Sequence, residues 1–140
     1  MKVKRQIITV DELLRKYTNG ERDFTYVSIY SSSRKSLFRG VDLSGINLEG
    51  SALSVDLSGA ILREANFRYT VWGKCSWENT DFSSSDFTGI NNGVECVFVR
   101  CNFSNTIWDQ ANLWQSTFED CDLTGANFDN ASLAEVDLCG

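Results

Sequence analysis

Five cysteines, at positions 75, 96, 101, 121 and 139, and nineteen carboxylates are the side chains through which this 140-residue chain could do chemistry. A thiolate can attack a carbonyl or ligate a metal, and a carboxylate pair can move protons. The chain has no histidine, which removes Ser–His and Cys–His nucleophile pairs and every histidine metal site. No CxxC pair occurs, and no phosphate-cradling glycine loop precedes a helix. Cys75, Cys96, Cys101 and Cys121 recur at like positions of a regular pattern, as the aspartates do, so the thiols read as small core hydrophobes and the aspartates as turn formers. Cys101 and Cys121 are expected to stack. Their separation would suit a disulfide, but side chains of aligned strands point the same way, against the required torsion. The expectation is a chain with no catalytic residue, no cofactor and no metal.

The pattern has a period of five. In "CDLTGANFDNASLAEVDLCG", Leu123, Phe128, Leu133 and Leu138 keep step, each with a smaller residue two places before it. Such centres run from Phe38 to Phe87 and again from Phe98 to Leu138, and twenty of the chain's twenty-five Leu, Phe and Trp residues occupy them. A helix would scatter them, since five residues at about 100° each leave successive centres about 140° apart. A straight strand would send successive centres to opposite faces. The chain must therefore turn once per repeat, with the small and large residues pointing inward and the other three at a corner. Asp or Asn precedes most centres and Gly often follows by two, both suited to turns. Turns of one hand wind the chain into a solenoid of parallel coils spaced about 4.8 Å apart.

Units such as "VDLSG", "INLEG", "ANFRY" and "ANFDN" resemble the A(D/N)LxX unit of the pentapeptide repeat family, over roughly residues 36–140 and with degenerate repeats reaching back to Phe24 and Ile29. The resemblance implies an all-β fold, a right-handed quadrilateral parallel β-helix with four repeats per coil and about six coils, a rod of roughly 25–30 Å. On that reading Phe38, Leu57, Trp77, Phe98, Phe118 and Leu138 form one inner column, and Leu43, Leu62, Phe82, Phe103 and Leu123 another.

Two units follow: residues 1–22, an N-terminal segment with a capping α-helix, and residues 23–140, the β-helix. Thr9 reads as the helix N-cap with Glu12 three residues on, Leu13, Leu14 and Tyr17 form its apolar side, and Gly20 suits its end. The helix is expected to plug the first coil. Nothing comparable follows Leu138, so the last coil is expected either to pair with a second copy, as a homodimer through the C-terminal coil, or to belong to a longer chain. A one-residue deletion at Ser54–Val55 should tighten a corner. Between Phe87 and Phe98 one residue is added, with the expected centre at Asn92 or Gly93, which suggests a bulge or small protruding loop.

The net charge of −6 hides a division: residues 1–40 carry about +5 and residues 41–140 about −11. Acids gather outward on two sides, Glu78, Glu119 and Asp120 on one and Glu49, Asp109 and Asp129 on another, interrupted by Arg39, Arg68, Lys74 and Arg100. Such a rod would repel phosphates, so direct nucleic-acid binding is not expected. Trp114, with Val99 and Tyr69, offers outward apolar groups to another protein, and the loop Asn91, Asn92 and Gly93 is a second place for such contact. The reading is a non-enzymatic scaffold for an unknown protein partner. The alternative, implied by the family, is a DNA-mimicking modulator of a type II topoisomerase such as gyrase. No apolar run spans a membrane and no secretory leader is evident, so a cytoplasmic location is expected.

Overall fold

The computed structural model describes residues 4–31, 33, 37–91 and 93–140. Among these residues eight short strands and one helix follow in order: β1 (Gln6–Ile8), α1 (Val10–Thr18), β2 (Val27–Tyr30), β3 (Ala52–Ser54), β4 (Val71–Trp72), β5 (Ser76–Glu78), β6 (Val97–Val99), β7 (Thr117–Glu119) and β8 (Asp137–Cys139). All pairings are parallel, in two sheets of order β1-β2-β3-β4 and β5-β6-β7-β8, and single parallel bridges join the remaining sides. The chain is a parallel β-solenoid of about six turns with one short helix.

The bridges mark out the coils directly. Asp23 pairs Asn47, Asn47 pairs Asn66, Asn66 pairs Asp86, Asp86 pairs Ile107 and Ile107 pairs Asn127. Four five-residue repeats make a coil, as from Asn66 to Asp86 and from Ile107 to Asn127. The coil from Asn47 to Asn66 is one residue short and carries the deletion, the coil from Asp86 to Ile107 is one residue long and carries the insertion, and the first coil is longer than any other. Four inner columns result. The first stacks Phe24, Leu48, Phe67, Phe87, Trp108 and Phe128 behind those bridges, and its rings lie nearly parallel: Phe67 on Phe87 at 4.9 Å, Phe87 on Trp108 at 4.2 Å and Trp108 on Phe128 at 5.7 Å. The second holds Ile8, Ile29, Leu53 and Trp72, then Gly93, Leu113 and Leu133. In the third, Trp77, Phe98, Phe118 and Leu138 align as expected, and in the fourth Phe82 stacks on Phe103 at 5.0 Å.

Corner chemistry repeats with the coils. The Asp or Asn before a centre turns its Oδ1 back to accept the amide two residues on, as Asp42 does from Ser44, Asn102 from Ser104 and Asp122 from Thr124, each at 2.9 Å. The residue two past most centres takes positive φ whether or not it is glycine: among the described residues thirteen others do so, from Tyr26 to Glu135. Glycine is required only where something crosses it. A Cβ on Gly50 would stand 2.5 Å from the ring of Tyr26, and one on Gly89 2.5 Å from the ring of Tyr69. Buried hydroxyls join coils where the ladder leaves backbone groups over. Ser51 donates to the Phe24 carbonyl and accepts from the Val27 amide; Ser85 does the same with Leu62 and Ala65, and Ser116 with Gly93 and Cys96.

At the N-terminal end the helix begins as expected, with Thr9 Oγ1 accepting the Glu12 amide at 3.1 Å. It ends on a Schellman pair, Gly20 N–H to Tyr17 and Glu21 N–H to Lys16, with Gly20 at φ 98°. Val10 and Leu13 enter the solenoid core, and the Tyr17 hydroxyl donates to the Ser44 carbonyl at 2.7 Å. The N-terminal segment also supplies β1, which the sequence pattern does not announce. It pairs β2 in register, Ile8 beside Ile29, so the helix replaces two sides of an incomplete first coil.

Candidate functional site

With the core columns filled by side chains, what the chain can offer another molecule lies on its outer faces, its breaks and its last coil. Outward residues follow the same column register as the core. Over the third column lie Arg39, Ser58, Glu78, Val99 and Glu119, with Asp120 at the next corner; over the first lie Glu49, Arg68, Thr88, Asp109 and Asp129. Each expected acidic grouping therefore lies along a single side, one over the third column and one over the first. Glu78 stands two coils from Glu119 and is bound by Arg100 from the coil between. Three further cations bind neighbouring-coil acids likewise: Arg63 with Asp81 at 2.6 Å, Arg68 with Asp86 at 3.5 Å and Lys74 with Glu95. Burial opposes the Asp81 carboxylate, but Arg63 and the Ser83 amide and hydroxyl hold its pKa below the usual value. Past Arg100 the sequence has seven acids and no Lys or Arg, so uncompensated charge gathers in the last two coils around Asp109, Glu119, Asp120 and Asp129.

Trp114 is 39% exposed on the face of the second column. The insertion lies on that same face, one coil before it. Asn91 bridges Val71 and is exposed, and Glu95, at positive φ, donates to the Trp114 carbonyl. Val94 therefore lies beside Trp114, with Asn91 and Gln115 near it. Asn92 falls outside the described residues. Gly93 departs from the expected outward contact: it is buried in the column, where a Cβ would meet the Asn112 carbonyl at 2.8 Å, so it offers no side chain to a partner.

The deletion opens a cleft of about 300 Å³ at the corner between the second and third columns, lined by Ser54, Val55, Asp56, Lys74, Cys75 and Trp77 among others. There the Val55 carbonyl accepts from the Trp77 indole at 3.1 Å.

All five cysteines are free thiols. Cys101 and Cys121 stack as the spacing requires, their thiols donating to the Trp77 and Phe98 carbonyls at 3.5 and 3.4 Å, which is the role serine plays elsewhere. Burial pushes the Cys75 thiol well above the usual range, the direction of an unreactive core thiol. Cys75 and Cys96 form a second stacked pair, which a strict count of four repeats misses because the insertion adds one residue between them.

Each core column ends uncovered at the last coil. Leu133 and Leu138 are 42% and 66% exposed, and Leu123 and Phe128 are only half-buried.

The sequence matches the profile of the Pentapeptide repeats family in eight copies over residues 34–70, 60–91 and 96–134. The chain belongs to that family, whose fold is the right-handed four-sided β-helix. Solved structures similar to it include HetL, a pentapeptide repeat protein involved in heterocyst differentiation regulation from the cyanobacterium Nostoc sp. strain PCC 7120, with 14% identity over 92% of this chain and 96% of that one and a TM-score of 0.31. The pentapeptide repeat protein alr5209 of Nostoc PCC 7120 is 18% identical over 99% of both chains, TM-score 0.31. QnrB1, a plasmid-mediated fluoroquinolone resistance protein, is 13% identical over 80% of this chain and 72% of that one, TM-score 0.28. Such distant likenesses carry neither a partner nor a process across. No match was found among curated proteins. Among the described residues no helix is long and apolar enough to cross a membrane.

Proposed function

We propose that this chain is a non-enzymatic scaffold that binds another protein through the face carrying Trp114. The observation behind this reading is that the exposed indole lies beside the insertion, on a face where Asn91 and Val94 precede it and Gln115 follows it. A half-exposed tryptophan flanked by an amide on either side is suited to the centre of a protein contact. The carboxylates favour the same conclusion, because the aspartates that precede centres are engaged in Asx turns and several outward acids in ion pairs between coils.

A DNA-mimicking modulator of a type II topoisomerase is the second reading, and the acids past Arg100, with no cation among them, favour it. The two differ in salt dependence. With the purified protein as bait in lysate, scaffold binding survives a high-salt wash and is lost in Trp114→Ala. Mimicry instead yields topoisomerase subunits that salt releases and that Glu119→Lys with Asp120→Lys abolishes. A partner indifferent to Trp114→Ala would sink the scaffold reading as placed here.

The uncovered last coil belongs to the same proposal as a contact between two copies of the chain. Sedimentation should show a concentration-dependent dimer that Leu138→Glu dissolves. A monomer at every concentration rejects it.

A further inference from the structure

Four outer faces run along the solenoid, and one differs from the other three. Over the second column, the residues before and after each centre, from Ser28 and Tyr30 through Val71 to Asn112, Trp114 and Ala134, include no charged side chain among those described. The other faces carry Asp23 and Glu49, Glu78 and Glu119, and Asp42 and Asp122. Cations at the rims of the neutral face are already paired, Arg68 with Asp86 and Lys74 with Glu95. Aromatic rings stand along it instead. Tyr26 and Tyr69, 49% and 48% exposed, hold the corner it shares with the first column, each ring laid against the glycine of the following coil, Gly50 and Gly89. Trp114 stands across the face, two coils beyond Tyr69.

We propose that the partner of the Trp114 face presents an uncharged, proline-rich segment in the polyproline II conformation, laid along this face; the inference rests on the scaffold reading and names what the scaffold recognises. The face is about 10 Å wide, three extended residues, and about 24 Å long, five coil spacings from Ser28 to Ser132. That is roughly 240 Å², less than half of the ~800 Å² per partner that a globular contact or a second copy needs, and it suits one linear chain. The backbone groups of the face are used in the ladder between coils, so the segment cannot add as a strand and must be held through its side chains. A polyproline II helix has three residues per turn at ~3.1 Å each, about 9.3 Å per turn. Tyr26 and Tyr69 stand two coils apart, about 9.6 Å. Successive turns therefore set a pyrrolidine ring against each tyrosine, and about eight residues run the length of the face. The helix has no internal hydrogen bonds, and its carbonyls find N–H donors in the exposed Asn91 and Gln110 side chains and the Trp114 indole. Proline fixes this conformation before binding, so little ordering entropy is lost on a flat surface. A neutral face then needs no charge from its ligand.

The test is a titration of the isotope-labelled full chain with octaproline, acetylated and amidated at its ends, followed by NMR. The indole N–H signal of Trp114, assigned with Trp114→Phe, should shift saturably and equally at low and high salt, with the other shifted amides confined to the second-column face. A glycine–serine peptide of the same length, which lacks the preset helix, should leave the spectrum unchanged. Trp114→Ala, and Tyr26→Asn with Tyr69→Asn, should each weaken binding about tenfold or more, read from the remaining amide shifts. Asparagine fits that corner, since Asn130 occupies it at φ 58°. Ile107→Ala, exposed on the first-column face, should leave binding unchanged. Where a variant does not fold, the shift map of the native chain takes its place. No saturable shift, shifts confined to other faces, binding lost in salt, or cellohexaose binding in place of octaproline overturns the proposal. If octaproline fails while lysate still yields a partner lost in Trp114→Ala, the polyproline inference falls and the scaffold reading stands; if neither binds, both fall.

Discussion

Trp108→Ala should cost about 3–5 kcal/mol, the range for emptying a large buried aromatic site. Trp108 is fully buried in the first column, stacked on Phe87 at 4.2 Å and Phe128 at 5.7 Å, with the edges of Phe103 and Phe118 at 5.2 and 5.9 Å. Its indole nitrogen donates to Thr106 Oγ1 at 2.8 Å, so truncation also removes a buried hydrogen bond, while the Thr106 hydroxyl keeps its own bond to the Phe103 carbonyl. The hole cannot close, because the rings above and below are held at coil spacing by the backbone ladder. Domains of this size are stable by only about 5–15 kcal/mol, so the last two coils should lose their independent stability first. Denaturant unfolding followed by circular dichroism measures it. Trp114→Ala, at a half-exposed site, serves as the control and should stay within about 0.5 kcal/mol. A Trp108→Ala loss below about 1 kcal/mol, well under the range for large aromatic truncations, would mean that the column is not filled in this way.

Ser116→Val should cost about 2–6 kcal/mol, from two buried backbone groups left without partners at about 1–3 kcal/mol each. Ser116 Oγ accepts the Cys96 amide at 3.1 Å and donates to the Gly93 carbonyl at 2.7 Å. Volume is not the issue, since Val136 holds the same column one coil further on. Ser116→Cys therefore separates the two causes. Thiols at Cys101 and Cys121 already donate to carbonyls on the preceding coil, so cysteine should recover part of the loss. Equal losses for valine and cysteine would show that size, not hydrogen bonding, sets the cost. The result also bears on the insertion, because Ser116 is what ties Gly93 into its column.

Much of this could be read from residue types. Thr9, Glu12 and Gly20 marked the helix and both its ends, and the large residue at every fifth place marked the columns and their order. The corner aspartates were legible as turn formers because each acts on an amide two residues away. The strand β1 was not: Gln6–Ile8 is a short segment with no repeat around it, and it becomes a strand only because β2 lies one coil ahead to pair with it. The candidate surface was half legible. Trp114 and the insertion were visible as departures from the period, but whether Gly93 faced out or in depended on which of two residues the column accepted. The Cys75–Cys96 pair was hidden for the same reason.

The division follows from range. Within five residues the sequence by itself determined which side chains point inward, where the chain turns and which polar groups those turns satisfy, since each choice is made by neighbours in the chain. Which residues meet between coils was decided only by the tertiary structure. Cross-coil contact depends on the length of each coil, and the coil from Asn47 falls one residue short of four repeats while the coil from Asp86 exceeds them by one. One residue more or less in a coil changes every pairing count across that break. The ion pairs of Arg63, Lys74 and Arg100, the second thiol pair, the cleft at Val55 and the placing of the insertion beside Trp114 all arise at that level, where the backbone ladder must close before any side chain finds its partner.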